Sequence, residues 1–433
     1  PSFARFVAFA EFSSQPANKP ALHSLPDIAE PMAIDVVLAD APAPHLLEPQ
    51  WLQLEAQAEG SFFTSWSWIG CWLQGLGPAM KPMLLRATRD GQVVGLALLV
   101  HRRHRRLKVF PASSLTLHAT GKLDEDAITI EHNGLLTHHV DSERIAAAMY
   151  RHLLNGAAGW DDIGLPGLPA RPDLGAPLAS DLVLRERTKN FYLVDLDAVR
   201  RRDGDYVGVL SSNTRNQIRR SIKVYEKLGP LQLTEAKDTR SALDFLAGLK
   251  VLHERRWAAL GKAGAFSNRT FESFHSRMID AAFPCGAVQL LRVQAGPHVV
   301  GYLYNFVYRG RVHFYQSGFD YDLVPNNGRP GIVTHTLSVC HNAQLGHQFY
   351  DFMAGDTQYK RSLSTHEETM VWITVHRNTL AFQLESALRL IKRRLVKSPV
   401  VPRSADTAAS TVSSSALGDP APQMAESVNR PRI

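Results

Sequence analysis

The 433-residue sequence lacks the features that announce the commonest metal and nucleotide chemistries. Its three cysteines, Cys71, Cys285 and Cys340, lie far apart and never form C-x-x-C. That spacing offers neither a disulfide framework nor a cysteine zinc site, and makes a reducing compartment the default. No G-x-G-x-x-G and no G-x-x-x-x-G-K-[ST] occurs, so neither a Rossmann nor a P-loop nucleotide site is indicated. His253-Glu254 opens like a zinc-protease helix, but H-E-x-x-H needs histidine at 257, where Trp257 stands. No metal is expected. No apolar run reaches bilayer length, and the first residues lack the apolar stretch of a signal peptide. The expectation is a cytoplasmic protein.

What is present describes an ordinary globular chain. Hydrophobic residues make up 45% and charged residues 21%, and the length allows two or three domains with sizeable cores. The net charge of +7 permits an anionic ligand without calling for DNA. Residues 1–31 begin at proline and are weakly patterned; Met32 precedes the strand-like AIDVVLAD, so the segment reads as flexible and outside the fold. A first domain is expected over 32–202, a basic connecting helix over 203–229 and a second domain over 230–397. The Ser/Ala/Pro/Thr-rich 398–433 reads as a disordered tail.

Within the first domain, Leu46–Gly75 reads as helical, its aromatics more at home in a core than in a ligand cage. A hairpin turns at Asp90-Gly91, and the basic run His101–Lys108 reads as a solvated strand end. Strands are expected near Ser114–Ala119, Asp126–Ile130, Trp160–Gly164 and Leu182–Leu196, with a helix at Ser142–Leu154. In the connector, Ser212 or Asn213 would cap a helix bearing Arg215, Arg219 and Arg220, a face equally suited to solvent or to an anion. Helices are expected at Thr239–Leu260, where His253, Arg256 and Trp257 can line a pocket, and at Asn268–Ala282.

The chain is organised around Arg311–Lys360, which reads as strand, polar loop, helix and strand. Val312, Phe314 and Tyr315 suit a strand, Pro325–Gly328 breaks it, and Arg329-Pro330-Gly331 opens an amphipathic helix that runs to Gly346. A second strand follows at Phe349–Met353. Free backbone N–H groups at such a helix start favour phosphate, and Arg329 would add charge-assisted hydrogen bonds. An internal repeat accompanies this unit. Leu84-Leu85-Arg86 precedes Val93-Val94-Gly95 at the spacing by which Leu290-Leu291-Arg292 precedes Val299-Val300-Gly301. Gly60-Ser61-Phe62 and Gly264-Ala265-Phe266 stand upstream at nearly equal offsets. Duplication of one α/β unit explains both matches, and ligand sites favour such internal interfaces.

On SSNTRNQIRRS (Ser211–Ser221), LHERRW with GAF (Leu252–Phe266), YQSGFD (Tyr315–Asp320), RPGIVTH (Arg329–His335) and YDFMAGDTQYK (Tyr350–Lys360), the chain resembles a bacterial acetyltransferase family. It is the GNAT-like, CelD-like or BioF-like family, related in fold to the FemABX peptidyltransferases. The resemblance spans Trp51 to about Leu395. It implies an α/β (α+β) fold of tandem GNAT-like domains, with mixed sheets flanked by helices. It also implies acyl transfer, with acetyl as the expected group, from acyl-CoA to an amine or hydroxyl of a sugar, polysaccharide or peptide. Peripheral association with membrane polysaccharide machinery is compatible with it. The turn Asn327–Gly331 would replace the family's pyrophosphate turn, but its single Gly331 departs from Q/R-x-x-G-x-G/A. FemABX-like use of aminoacyl-tRNA, and a non-catalytic scaffold, therefore stand as alternatives.

On the same resemblance, Arg329, Gly331, Ile332, Gln316, Ser317 and Lys360 would hold the donor. A backbone N–H of Tyr315–Gly318 would meet the acyl carbonyl. Asp356 is the first choice for general base, with Asp351 and His253 as alternatives and an Asx-turn role for Asp356 beside it. Tyr359 would protonate the leaving thiolate. Arg256, Trp257, Asp320, Asp351 and Arg215 would contact the acceptor.

Overall fold

A computed structural model describes residues 33–396, apart from 79, 123, 129, 156–158, 175–177 and 326–327. The segment 1–31, expected to be flexible, and 398–433, expected to be disordered, lie outside the described residues. The first half of the chain runs β1 (Asp35–Asp40), α1 (Pro44–Glu55), α2 (Trp66–Gly75), β2 (Pro82–Arg89), β3 (Gln92–Arg106), β4 (Phe110–Leu117), β5 (Leu136–Thr137), α3 (Ser142–Asn155), β6 (Asp162–Leu168) and β7 (Leu182–Asp195). Three helices follow: α4 (Leu196–Arg200), α5 (Tyr206–Val209) and α6 (Ser212–Glu226). The second half runs β8 (Leu231–Glu235), α7 (Thr239–Ala259), α8 (Arg269–Ala282), β9 (Val288–Ala295), β10 (His298–Tyr308), β11 (Arg311–Phe319), α9 (Pro330–Gln344), β12 (Phe349–Ala354), α10 (Gln358–Leu363), β13 (His366–Arg377) and α11 (Leu380–Val396).

The strands form one continuous mixed sheet in the order β1-β2-β3-β4-β6-β13-β7-β12-β11-β10-β9-β8, with β5 beside β3. Read inward from either edge, the pattern is the same: four strands in antiparallel contact, then one parallel pair. The parallel pairs are β4–β6 and β11–β12. The two hairpins singled out as a sequence repeat, β2–β3 and β9–β10, occupy equivalent places. At the centre the halves exchange a strand. β7 pairs with β12 of the second half, and β13 returns to pair with β6 of the first. β7 and β13 also pair with each other, from His366↔Leu193 to Arg377↔Leu182.

Local chemistry explains the elements. Asp90 and Gly91 turn the first hairpin with φ of 52° and 74°, a conformation that Asp-Gly tolerates well. The aromatic stretch is core, as its composition suggested, but it is two helices rather than one. Ser61 and Ser65 cap successive turns and break it, while Trp51, Phe62, Phe63 and Trp68 are buried. These rings meet the equivalent layer of the second half: Phe62 stacks on Phe306 at 4.2 Å, and Trp68 meets Phe274 edge-on at 4.9 Å. The strand expected at Asp126–Ile130 is instead a short 3-10 turn over Asp126–Ile128. Ser211, one residue earlier than expected, caps α6 through its hydroxyl.

α9 is buried along most of its length. Ile332, Val333, Val339 and Ala343 supply apolar contact. Its buried Asn342 joins Gln289 of β9 and, through it, Asn305 of β10 in a hydrogen-bonded set at 2.9–3.2 Å. Such a network fixes the helix against the sheet because a slip would leave each amide buried without a partner.

Candidate functional site

The parallel strands β11 and β12 pair only at Arg311↔Phe349, Val312↔Tyr350 and His313↔Asp351, then part. Both are irregular just beyond that point. On β11 the register against β10 steps from Asn305↔Phe314 to Tyr304↔Gln316, leaving Tyr315 as a bulge. On β12 the pairing with β7 skips from Asp351 to Ala354, and Met353 stands at φ 63°. Bulges and left-handed non-glycine residues break a ladder and re-aim its polar groups, a distortion common beside functional sites. Past the bulge, Ser317 N–H donates to Gln316 Oε1 at 3.0 Å, so the side chain of Gln316 holds one of the N–H groups of the stretch Tyr315–Gly318 expected to meet an acyl carbonyl.

The start of α9 has no side-chain cap. Arg329 is its N-cap residue and Pro330 its first turn, and Arg329 Nη1 donates to Gln217 Oε1 of α6 at 3.1 Å. Gly331 and Ile332 follow, both buried. Gly328 is required by space: a Cβ there would lie 2.6 Å from Val324 O and 2.7 Å from Tyr225 Oη. Asn327, the first residue of the expected pyrophosphate turn, lies outside the described residues.

At the point where the strands part, a segment of the first half is inserted. Tyr315 Oη donates to Ile128 O at 2.6 Å, and Ala354 N–H donates to Glu131 Oε2 at 2.7 Å. His132 Nε2 lies 2.9 Å from Asp351 Oδ2, the same oxygen that Arg311 Nη1 approaches to 3.2 Å and His313 Nδ1 to 3.7 Å. Asp351 Oδ1 accepts from Met353 N–H at 2.7 Å. His132, His313 and Asp351 are all buried. Burial alone would raise the Asp351 carboxyl; the charges and hydrogen bond of His132, with His313 and Arg311, outweigh it and hold it well below the usual carboxylate range. Burial pushes His313 down to about 3, against the pull of Asp351. Gly60, Ser61, His132, Phe191, Arg311, His313 and Glu368 are among the walls of a cavity of about 1010 Å³.

The residues expected from the sequence fall into several places. Asp351 is at the parting of the strands, with Gln316 and Ser317 just beyond on β11. Asp356 sits on an exposed loop, where its Oδ1 accepts from Tyr192 Oη at 2.9 Å and pairs with Arg361 Nη1 at 2.8 Å. Tyr359 is buried and stacks on His335 at 5.7 Å. Lys360 is turned inward. Its Nζ is buried and donates to Met353 O (3.2 Å) and Ala354 O (2.7 Å), and burial lowers it to about 8 despite Glu131 and Asp351.

His253 has no ring nitrogen left for a proton in flight. Nδ1 meets Ser317 O at 3.2 Å and Nε2 accepts from Ala265 N–H at 3.2 Å, which fixes a neutral ring pushed by burial to about 4. Arg256 lies over the Tyr321 ring at 4.3 Å, and Trp257 is buried against His253. Asp320 Oδ1 caps its own turn, accepting from the N–H groups of Asp322 and Leu323 at 3.0 Å, and pairs with Arg255 at 2.8 Å. Arg215 Nη1 binds Leu210 O at 2.9 Å and Gly208 O at 3.4 Å, closing the end of α5. Sequence reasoning missed His132, Glu131, Arg311 and His313. Nothing local marks them, since they meet only through the insertion of one half's loop into the other half's sheet.

Comparison with known proteins gives a family match over residues 212–361, to the acetyltransferase (GNAT) domain. No curated protein matches the chain. Among solved structures, FemX is 11% identical, with a TM-score of 0.48 over 82% of this chain and 99% of that one. The C-terminal domain of a putative lysylphosphatidylglycerol synthetase from Agrobacterium fabrum is also 11% identical, with a TM-score of 0.45 over 84% and 100%. A tandem GNAT protein from the clavulanic acid biosynthesis pathway is 12% identical, with a TM-score of 0.40 over 78% and 98%. The fold is mixed α/β with one large mixed sheet, of the GNAT type. Among the described residues no helix is long and apolar enough to cross a membrane.

Proposed function

We propose that this protein is an acyltransferase that moves an acyl group, acetyl in the simplest case, from acyl-CoA to an amine or hydroxyl of a sugar or peptide. The observation that carries the reading is the opening between β11 and β12 inside the segment matching the acetyltransferase domain. One side of that opening is bulged at Tyr315, and the helix that follows β11 starts without a side-chain cap. In this reading the N–H groups of Gly331 and Ile332 and the side chain of Arg329 take the donor's phosphates, and the pantetheine arm runs along Gln316 and Ser317. The side chain of Gln316 gives up the Ser317 N–H, which then holds the thioester carbonyl and the oxyanion it becomes.

The experiment is a thermal-shift titration with acetyl-CoA, followed by assay of thiol release. A ligand bound only by the folded state at about 100 times its Kd adds about 2.7 kcal/mol of apparent stability. Arg329→Ala is expected to weaken acetyl-CoA about 10- to 100-fold, the share of one charge-assisted contact. No shift with any acyl-CoA would end this reading. One feature favours a second donor: Arg219 and Arg220 are exposed on α6, the helix whose Gln217 holds Arg329. Binding of aminoacyl-tRNA that weakens steeply with salt, without response to CoA, would select it.

A further inference from the structure

Resting on the acyl-transfer reading, we infer that His132, held by Asp351, is the general base of the reaction and that the cavity it lines receives the acceptor. The parallel strands separate just past His313 and Asp351, and the segment carrying Glu131 and His132 fills the point where they part, so an arm reaching between them from the start of α9 would end against His132. The cavity of about 1010 Å³ reaches the same place and has His132, Arg311 and His313 in its wall. Donor and acceptor would therefore meet at one point from two directions, as direct transfer requires.

The geometry also selects the base. Nε2 of His132 lies buried 2.9 Å from Asp351 Oδ2 without an aligned hydrogen bond, and a small turn of the ring that points an N–H at the carboxylate puts the proton on Nε2. Nδ1 has no place in that pair and keeps its lone pair for the substrate. This is the logic by which a buried carboxylate orients a catalytic histidine and stabilises the imidazolium it becomes. The surroundings hold the ring in place. His132 N–H meets Met370 Sδ at 3.4 Å, and the Phe191 ring stands edge-on at 4.9 Å. The charged and titratable groups around the His132–Asp351 pair include Arg311 and His313 on β11, which approach Asp351, neighbouring Glu131 with Lys189 on β7 and Lys360 on α10 near it, and Glu368 in the cavity wall.

The step balances as follows. Nδ1 takes the proton of the acceptor N–H or O–H as that atom bonds to the thioester carbonyl carbon. The C–S bond then breaks, its electron pair leaves with the CoA thiolate, and the thiolate ends as free thiol by taking a proton from the imidazolium or from water. The acceptor class follows from the walls. Ser61, Thr137 and Ser142 offer hydroxyls, while Arg144, Glu143 and Glu368 bring charge of both signs. That lining suits a polar, hydroxyl-rich amine of amino-sugar size rather than a lipid chain.

The test uses the full chain with acetyl-CoA as donor and glucosamine as probe acceptor, for His132→Gln and His132→Ala. His132→Gln keeps an N–H for Asp351 and should hold the melting temperature within a few degrees of wild type. It should bind acetyl-CoA within about twofold of wild type yet release thiol 10²- to 10⁴-fold more slowly, the range for a lost general base. The acid limb of the wild-type kcat/KM profile should vanish, and added imidazole should restore part of the rate in His132→Ala. Turnover within threefold of wild type with donor binding intact would overturn the inference while leaving acyl transfer standing. Turnover lost to a chelator and restored by Zn²⁺ would also overturn it, because His132, His313 and Asp351 would then be holding a cation. Absence of acetyl-CoA binding in the wild type would instead remove the acyl-transfer reading on which the inference rests.

Discussion

Lys360 carries an ammonium group into a place with almost no water, held only by two backbone carbonyls at the end of β12. Burial lowers it to about 8, from an ordinary 10.5. The sign follows from proton counting. Between these values the unfolded chain binds a proton that the folded one has released, so stability rises with pH by up to about 1.4 kcal/mol per unit. Urea unfolding at pH 8 and 9.5 should show this gain, and Lys360→Met should remove it. At this scale the sequence was only partly legible. Asp351 could be named because it lies in the second strand of the organising stretch. His132 could not, because its partner lies more than 200 positions away and no spacing rule links them. Lys360 is expected at the donor from the resemblance alone, and no local pattern shows that the chain turns its Nζ back onto the carbonyls of Met353 and Ala354.

Elements depend on where backbones touch. A Cβ on Gly318 would lie 2.2 Å from Leu249 O and 3.0 Å from Leu249 Cα, so α7 rests on β11 with no room for a methyl group. Gly318→Ala must therefore push a helix off a strand and is expected to cost about 2–4 kcal/mol, at or above the usual range for overpacking. Chemical denaturation would measure it, and a loss below 0.5 kcal/mol would mean that α7 is not seated as described. Asn342→Leu should cost about 1–3 kcal/mol, because Gln289 then keeps a buried amide without that partner. Periodicity located α9, both strands beside it and both hairpins within a few residues. It could not show the bulge at Tyr315 or the turn at Met353, since these arise where two strands with different partners are forced apart. The connector arginines divide: Arg219 and Arg220 are exposed, but Arg215 closes a helix end that composition did not reveal.

At the scale of the whole molecule, five of the buried histidines among the described residues act in one direction. Burial drives His118 and His253 to about 4 and His275, His313 and His335 to about 3, from an ordinary 6.5. Their neutral forms stabilise the fold fully above pH 6.5, and that stability is lost as pH falls toward the folded values. Each contributes up to about 1.4 kcal/mol per pH unit, so one or two units match a typical total stability. The melting temperature is expected to drop sharply between pH 6.5 and 5, and a flat profile there would contradict the burial of these rings. The duplicated plan was legible in the sequence because both copies kept their hairpin residues. The crossing of β7 and β13 was not, because strand exchange leaves composition and period unchanged. It has a practical outcome for anyone cutting the gene. A break at the exposed turn around Asp203 leaves each fragment carrying a strand whose ladder belongs to the other. Either piece made alone should aggregate through its vacant edge, whereas the two co-expressed should complement and purify together.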